Sequence, residues 1–317
     1  PVPFFFDDGT PTNFSRSVTT AAPWAFRDSE VHSAFIELNH EFQNGWQLAA
    51  TATQSENSYD SKLNFLWGNP NQATGLGMGI YAKEMNGETE NTAFNINASG
   101  YFSLFDRQHE LLLGWNSSKE NITRHNVELD DSEIGSFYDW PIPDPGKFNG
   151  EVYGGGEENK QSGVYVTSRW SIIDPLTILL GGRIRSWDTT EQDGPSFDHD
   201  NVFTPYAGLV YDLDDNFSIY TSYTEVFSPQ NNKDRYNKFL DPKEGVNYEL
   251  GLKGEFFDGA LNSSLALFKV EQKNVAETDI IIDGEERYKM GEGVSTEGFE
   301  AEINGELFAG FNLVCRL

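Results

Sequence analysis

The residues of this sequence with the greatest chemical potential are its histidines, its one cysteine and its paired carboxylates. The five histidines are scattered, and only Asp198-His199-Asp200 places metal-type ligands side by side. Cys315 is the only cysteine, which excludes an intrachain disulfide and a cysteine-based zinc site. Carboxylate pairs such as Glu157-Glu158 lie in polar stretches, where solvated charge is the usual role. A metal site is therefore less favoured than a solvated loop.

Catalytic and nucleotide-binding motifs are missing from the sequence. There is no Gly-x-Ser-x-Gly elbow, Walker A loop, dinucleotide-binding glycine fingerprint or His-Glu-x-x-His. The glycine run at 154–156 lies in a polar stretch with no helical pattern after it, which is typical of a loop. We therefore expect a protein that is not an enzyme and that holds no cofactor or resident metal.

A second group of residues has the chemistry of ligand recognition. Arg183, Arg185 and Trp187 alternate along one segment, so in a strand they share one face. Six aromatic residues lie in or near long polar stretches: Trp67, Tyr81, Tyr138, Trp140, Tyr153 and Tyr236. Aromatic rings that stack on a ligand, together with a few placed polar groups, are typical of binding sites. The alternative is that these rings serve ordinary loop packing or a girdle at a membrane interface.

Charge and hydropathy limit the elements that can position these residues. Lys and Arg number 22 and Asp and Glu number 50, a net charge of -28 that disfavours nucleic acid as a partner. The acidic balance fits a solvated surface, or a vestibule that favours neutral or cationic ligands. Mean hydropathy is -0.52, and no apolar run is long enough for a membrane-spanning helix. A strand that shows lipid only every second side chain can nevertheless be polar on average.

Short and long connections alternate along the chain. Short turn signals lie at 43–45, 104–107, 174–175, 214–216, 257–259 and 308–310. Between them lie long polar stretches at about 67–77, 126–158, 191–200, 228–243 and 276–290. This order places all short connections at one rim and all long ones at the other. It is the asymmetry of an outer-membrane β-barrel, with short periplasmic turns and long extracellular loops.

The segments between the connections alternate with a period of two. In 244–256, for example, Val246, Tyr248, Leu250 and Leu252 oppose Asn247, Glu249, Lys253 and Glu255. Segment 260–271 is ambiguous, because both of its faces carry Leu or Phe. The pattern predicts about twelve antiparallel strands in an all-β transmembrane barrel, with Arg183, Arg185 and Trp187 pointing into the lumen. A soluble β-sandwich also alternates, but several segments here exceed its usual strand length.

Three stretches resemble the TonB-dependent siderophore receptors: Thr204 to Leu213, Tyr220 to Gln230 and Leu240 to Lys253. The resemblance implies a barrel of 22 strands with a lumen closed by an N-terminal plug. On that pattern, 1–317 is a partial barrel of roughly strands 6 to 17, with the plug absent, residues 1–30 an extracellular loop and 31–317 the strands. The chain opens Pro-Val-Pro-Phe without an initiator Met, so we expect an interior piece.

The resemblance also implies a function in the bacterial outer membrane. A ferric siderophore would bind from outside and be imported with energy from the TonB complex, which would act through the missing N-terminal region. Outer-membrane lipid and lipopolysaccharide would surround the barrel, and iron would enter only as part of the substrate. Rival interpretations are a TonB-dependent receptor for cobalamin or an oligosaccharide, a passive porin-like barrel, and a soluble glycan-binding module. Which siderophore is carried cannot be read from these residues.

The chain ends unlike the family pattern. The alternation that begins at Phe311 is expected to break at Cys315, because the sequence reads Val314-Cys315-Arg316-Leu317 where the family leads us to expect something like Val-Ala-Gly-Tyr. Deletion of one nucleotide would convert codons for Val-Cys-Arg-Leu into codons for Val-Ala-Gly-Tyr. Two explanations therefore stay open: a frameshift, and a natural sequence that departs from its family.

Overall fold

A computed structural model describes residues 2–139, 150, 152–192, 196–282 and 284–317. Fourteen β-strands and no helix lie in the described part of the chain. No helix there is long and apolar enough to cross a membrane. The strands are β1 Phe26–Glu41, β2 Gln47–Trp67, β3 Gly79–Leu104, β4 Arg107–Glu133, β5 Val152–Ile173, β6 Leu176–Glu191, β7 Phe197–Asp212, β8 Phe217–Ser228, β9 Lys243–Phe256, β10 Leu261–Lys273, β11 Ala276–Ile282, β12 Glu285–Met290, β13 Val294–Phe308 and β14 Phe311–Arg316.

Twelve of the strands form one antiparallel sheet in which each strand pairs with its neighbours in sequence. The order is β1 to β10, then β13 and β14, while β11 and β12 form a separate hairpin. The predicted turns and the alternation of short and long connections are confirmed. β1 and β14 are not paired with each other, so the sheet is open, with two free edges.

The outward face carries an apolar band beside the short turns. On β3 it runs from Phe94 to Phe102, roughly the 9–11 residues that a tilted strand needs to cross a bilayer. The upper edge of the band follows one paired row across five strands: Ile96, Trp115, Val164, Ile184 and Phe203. On β3 the band reaches one step higher, to Phe94, and above Phe94 the same face turns polar, with Thr92, Glu90 and Glu88. Strands β2 to β5 have 21, 26, 27 and 22 residues, so they project well beyond the bilayer.

The inward face is built by aromatic rings that cover glycines on neighbouring strands. A Cβ added at Gly114 would lie 2.1 Å from the Tyr165 ring, and one at Gly181 would lie 2.3 Å from the Tyr206 ring. The hydroxyls are also satisfied, since Tyr165 donates to Asn95 Oδ1 at 2.9 Å and Tyr206 donates to Thr167 Oγ1 at 2.6 Å. Glycine thus provides the space in which a flat ring lies on the wall.

The same device resolves the ambiguous segment 260–271. In β10, Leu265 and Leu267 lie on the outward face, opposite Leu252 and Leu250. Phe268 points inward, where its ring covers Gly298 of β13. Both faces of β10 are apolar because one meets lipid and the other packs on a glycine.

Four of the expected connections contain strand residues. β4 runs to Glu133 and β5 begins at Val152, so the glycine run 154–156 and Glu157-Glu158 lie in strand β5 within the stretch expected at about 126–158. β7 begins at Phe197, within the stretch expected at 191–200. β1 begins at Phe26, within the 1–30 stretch expected to be a loop, because residues 26–30 continue the ladder with β2. The loop expected at 276–290 contains the hairpin β11–β12, whose strand residues Ile280 to Ile282 favour extended backbone.

At the C-terminus, the alternation continues through β14. Cys315 pairs with Ile303 on the outward face, and Arg316 lies within 3.4 Å of the Glu300 carboxylate on the inward one. The expected break at Cys315 is therefore not seen in the strand. The frameshift stays a hypothesis.

Candidate functional site

Two arginines lie side by side on the inward face of β6. Arg183 is paired with Tyr165, and Arg185 with Gly163, on the neighbouring strand β5. A Cβ at Gly163 would lie 2.8 Å from Arg185 Cβ and 3.2 Å from Arg183 Nε, so glycine makes room for both side chains. The row lies at the upper edge of the apolar band, since Ile184 between them belongs to that edge. The pair therefore lies inside the sheet's concave side near the outer bilayer surface.

Neither guanidinium is in an ion pair with a carboxylate of the described residues. Arg183 Nη2 donates to Asn116 Oδ1 at 2.9 Å, and Arg185 Nη2 donates to the Phe227 carbonyl at 2.9 Å. Arg183 Nε is buried without a hydrogen-bond partner in the described structure. Acidic residues outnumber basic ones by 50 to 22 in this chain, so two adjacent cations without a carboxylate are unusual here. Such a pair suits an anionic oxygen from a ligand.

Trp187 lies one step higher on the same face. Its Nε1 donates to Thr189 Oγ1 at 2.8 Å, and Thr189 in turn donates to Asn159 Oδ1 at 2.7 Å. This chain of bonds fixes the orientation of the indole, whose apolar surface remains half-buried. The structure thus brings Arg183, Arg185 and Trp187 together, as the alternation predicted.

Tyr81 and Tyr153 belong to a second cluster, higher on the wall. Lys83 Nζ lies 5.5 Å from the Tyr81 ring centroid, donates to Tyr153 Oη at 3.0 Å and forms an ion pair with Glu128. Phe65 stacks on Tyr81 at 5.0 Å. The bond from Lys83, followed by that from Tyr153, lowers the pKa of the Glu128 carboxyl, and the Glu128 carboxylate raises the pKa of Lys83. Lys83 lies eleven residues above Phe94 on β3 and is therefore outside the bilayer.

The two clusters are too far apart to hold one small ligand together. Trp187 is level with Gln161 on β5, and Tyr153 lies eight residues further up that strand. At about 3.3 Å per residue this is roughly 26 Å. One small ligand at the arginines therefore does not reach Tyr153.

The remaining predicted residues are scattered. The Trp67 indole covers Gly79, and Tyr236 is 82% exposed at the tip of loop 229–242. Tyr138 donates to the Gln72 carbonyl at 2.7 Å, a bond that ties two extracellular loops together. Trp140 lies outside the described residues.

Sequence reasoning missed the partners of the arginines. Phe227 is 6% exposed, and its ring centroid lies 3.9 Å from the Arg185 guanidinium carbon. It belongs to a strand that is distant in sequence, and only the folded sheet brings it to β6. The Asp198-His199-Asp200 run, expected in a solvated loop, lies in strand β7 instead. His199 faces inward opposite Trp187, while Asp198 pairs with Asp188 on the outward face. No group of three potential ligands among the described residues is placed to hold a metal.

Comparison with known proteins agrees with this architecture. The family described as TonB dependent receptor-like, beta-barrel matches residues 2–314. A ferric-pyoverdine BN7/BN8 receptor of Pseudomonas putida is 35% identical over 98% of this chain and 40% of its own length. The ferripyoverdine receptor of Pseudomonas aeruginosa is 34% identical over 98% of this chain and 39% of its own length.

Solved structures show the same fold. The crystal structure of the P. aeruginosa ferripyoverdine receptor bound to ferripyoverdine matches with a TM-score of 0.88 and 32% identity, over 99% of this chain and 43% of that one. The FpvAI–pyocin S2 complex matches with a TM-score of 0.89 and 31% identity, over 99% of this chain and 44% of that one. This chain therefore spans about two fifths of the length of these relatives. It belongs to the TonB-dependent receptor family, a family of transport receptors, and forms part of the β-barrel by which such a receptor crosses the outer membrane.

Proposed function

We propose that the receptor containing this chain binds a ferric siderophore of the pyoverdine kind on the inward face of the barrel and imports it with energy from TonB. The observation that carries the proposal is the pair Arg183 and Arg185, which face the lumen with no carboxylate partner in the described structure. Siderophores hold Fe³⁺ through oxygen donors that carry negative charge, and guanidinium groups bind such anionic oxygens by hydrogen bonds. Iron is thus part of the substrate.

Trp187 adds an aromatic surface beside the two cations. Its indole is oriented by Thr189, so a flat group of the chelate can stack on it while chelate oxygens accept bonds from the arginines. The relatives named as ferric-pyoverdine receptors support this class of ligand, since they match nearly the whole chain. An uncharged oligosaccharide offers no comparable partner for two adjacent guanidinium groups.

The proposal is tested by titrating ferripyoverdine into the purified receptor restored to full family length. We expect Arg183→Gln with Arg185→Gln to weaken binding by about a hundredfold or more, because each substitution removes a hydrogen bond between a charged group and the ligand. A hydrogen bond to a charged group contributes about 1.5–3 kcal/mol, and each 1.4 kcal/mol is a factor of ten. Lys160→Gln is the matched control, because Lys160 lies on the outward face opposite Asp188. Unchanged affinity in the double variant would refute the proposed site.

A further inference from the structure

The upper part of the wall is divided between β7 and β8. These strands are paired only from Asp212↔Ser218 up to Tyr206↔Thr224, although both continue above that point. On either side, β6 stays paired with β7 as far as Phe197, and β8 stays paired with β9 to its end. The upper wall therefore consists of two blocks, one ending with β7 and the other beginning with β8.

Arg185 joins the two blocks across this division. Its backbone is in β6, on the first block, while its Nη2 donates to the carbonyl of Phe227 near the end of β8, on the second. The guanidinium also lies on the Phe227 ring, at 3.9 Å from the centroid. The bond satisfies a carbonyl on a strand that has no β7 partner at this height.

The second block carries two extracellular segments that are bonded to each other. We call loop 229–242 and the hairpin β11–β12 the loop pair. Arg235 in the loop makes a two-pronged contact with Asp279 of the hairpin, with Nε–Oδ2 at 2.9 Å and Nη2–Oδ1 at 2.9 Å. The Tyr288 amide donates to the Lys233 carbonyl at 2.8 Å. These bonds fix the loop to the hairpin.

A second contact between the blocks is apolar. Phe239 of the loop pair packs against Phe197 of β7, with ring centroids 5.3 Å apart. Apolar contact has no strong direction, so rings can slide while staying packed. The Arg185–Phe227 bond is directional and fixes one position.

We infer that Arg185 is a ligand-operated latch. In this structure the bond from Arg185 Nη2 to the Phe227 carbonyl holds β8; when an anionic oxygen of the chelate takes the Nη2 hydrogen that this carbonyl accepts, the carbonyl is released and the loop pair moves relative to β6 and β7. The inference rests on the proposed function, because the ligand it invokes is the chelate at the arginine pair. Arg183, bound to Asn116 on the first block, serves the ligand without touching the latch.

The latch has a thermodynamic consequence that separates it from a simple ligand contact. The Phe227 carbonyl and the chelate oxygen compete for the same Nη2 hydrogen of Arg185, so the ligand binds the released state better and shifts the population towards it. By linkage, a change that weakens the closed state while keeping Arg185 tightens ligand binding. Removing Arg185 weakens binding and also releases the loop pair. The two kinds of variant therefore change affinity in opposite directions.

The test measures the distance between spin labels on the two blocks in the full-length receptor. Labels are placed through Asp200→Cys on β7 and Ile281→Cys on β11, both exposed, in a Cys315→Ser background. Without ligand, we expect Arg185→Gln to shift and broaden the distance distribution. Ferripyoverdine should produce the same shift in the wild-type receptor. The ligand-free comparison holds whatever the ligand is, so it can fail separately from the proposed function.

Two further variants complete the design. Arg183→Gln is the matched control, since it removes a neighbouring cation and leaves Phe227 untouched; its ligand-free distance should equal that of the wild type. Phe227→Leu keeps the apolar volume and Arg185 but loses the ring, and it should bind ferripyoverdine at least as tightly as the wild type. An unchanged distance in Arg185→Gln, or an equal change in Arg183→Gln, would overturn the latch. Weaker binding by Phe227→Leu in a receptor with wild-type thermal stability would also overturn it.

Discussion

A charge placed on the outward face of β9 should destabilise the barrel much more than the same charge on its inward face. Leu250 is 49% exposed on the outward face, and its neighbour across the strand pair, Leu267, is 57% exposed. In the bilayer this exposed surface meets hydrocarbon. An arginine near the midplane of a barrel's lipid face costs about 2–4 kcal/mol. Leu250→Arg should therefore lower the folding equilibrium constant by about 30-fold to several hundredfold.

Asn247→Arg is the matched control, because it adds the same side chain to the inward face of the same strand. Glu249 is less suitable, since its carboxylate accepts a bond from the Tyr220 hydroxyl that a substitution would also remove. Both variants are made in the full-length receptor and unfolded by urea from lipid vesicles. Folded and unfolded fractions are separated by their gel mobility without heating. Equal destabilisation by Leu250→Arg and Asn247→Arg would show that the assignment of faces on β9 is wrong.

Three other substitutions test separate parts of the structure. Gly114→Val should cost about 1–3 kcal/mol of unfolding free energy, because its side chain would enter the space of the Tyr165 ring; Gly155→Ala, with open space around it, is the control, and equal effects would contradict the packing. Lys83→Met removes the ion pair with Glu128. The ion pair lowers the pKa of the Glu128 carboxyl from 4.5 and raises the pKa of Lys83 from 10.5, so the pair stabilises the folded state fully between pH 4.5 and pH 10.5. Within that pH range, the unfolding midpoint of Lys83→Met should differ from that of the wild type by a constant amount. The difference should shrink when acid protonates Glu128 or alkali deprotonates Lys83; a difference that does not depend on pH would show that the ion pair is not its cause. Trp187→Ala should weaken ferripyoverdine binding several-fold in a fluorescence titration, since one aromatic stack contributes ~0.5–1.5 kcal/mol, and wild-type affinity would remove it from the site.

Local patterns were enough to predict the wall of this barrel. Turn signals such as Asp174-Pro175 and the period-two alternation depend on residues close in sequence, and the predicted strands, rims and faces follow from them. The inward position of Arg183, Arg185 and Trp187 needed only the alternation and the position of one turn. The sequence did not predict which residues of segment 260–271 face inward, because both faces of that segment are apolar. Phe268 is inward because Gly298, thirty residues later, leaves room for its ring.

Contacts between distant segments were also out of reach. The bond from Arg185 to the Phe227 carbonyl exists because β7 and β8 separate above Tyr206, and no local signal marks that separation. Likewise, Tyr138 and Tyr153 have the composition expected of ligand contacts, but each is held by a specific neighbour that only the folded chain provides. The assignment of these two tyrosines to ligand binding stays a prediction.

The most direct test of the central claim is iron uptake from ferripyoverdine labelled with radioactive iron. Pseudomonas cells that lack their own ferripyoverdine receptors receive the full-length receptor, either unchanged or with Arg183→Gln and Arg185→Gln. We predict uptake with the unchanged receptor, little uptake with the double variant at the same abundance in the outer membrane, and none in cells without TonB. Equal uptake by the two receptors, or uptake that persists without TonB, would contradict the account.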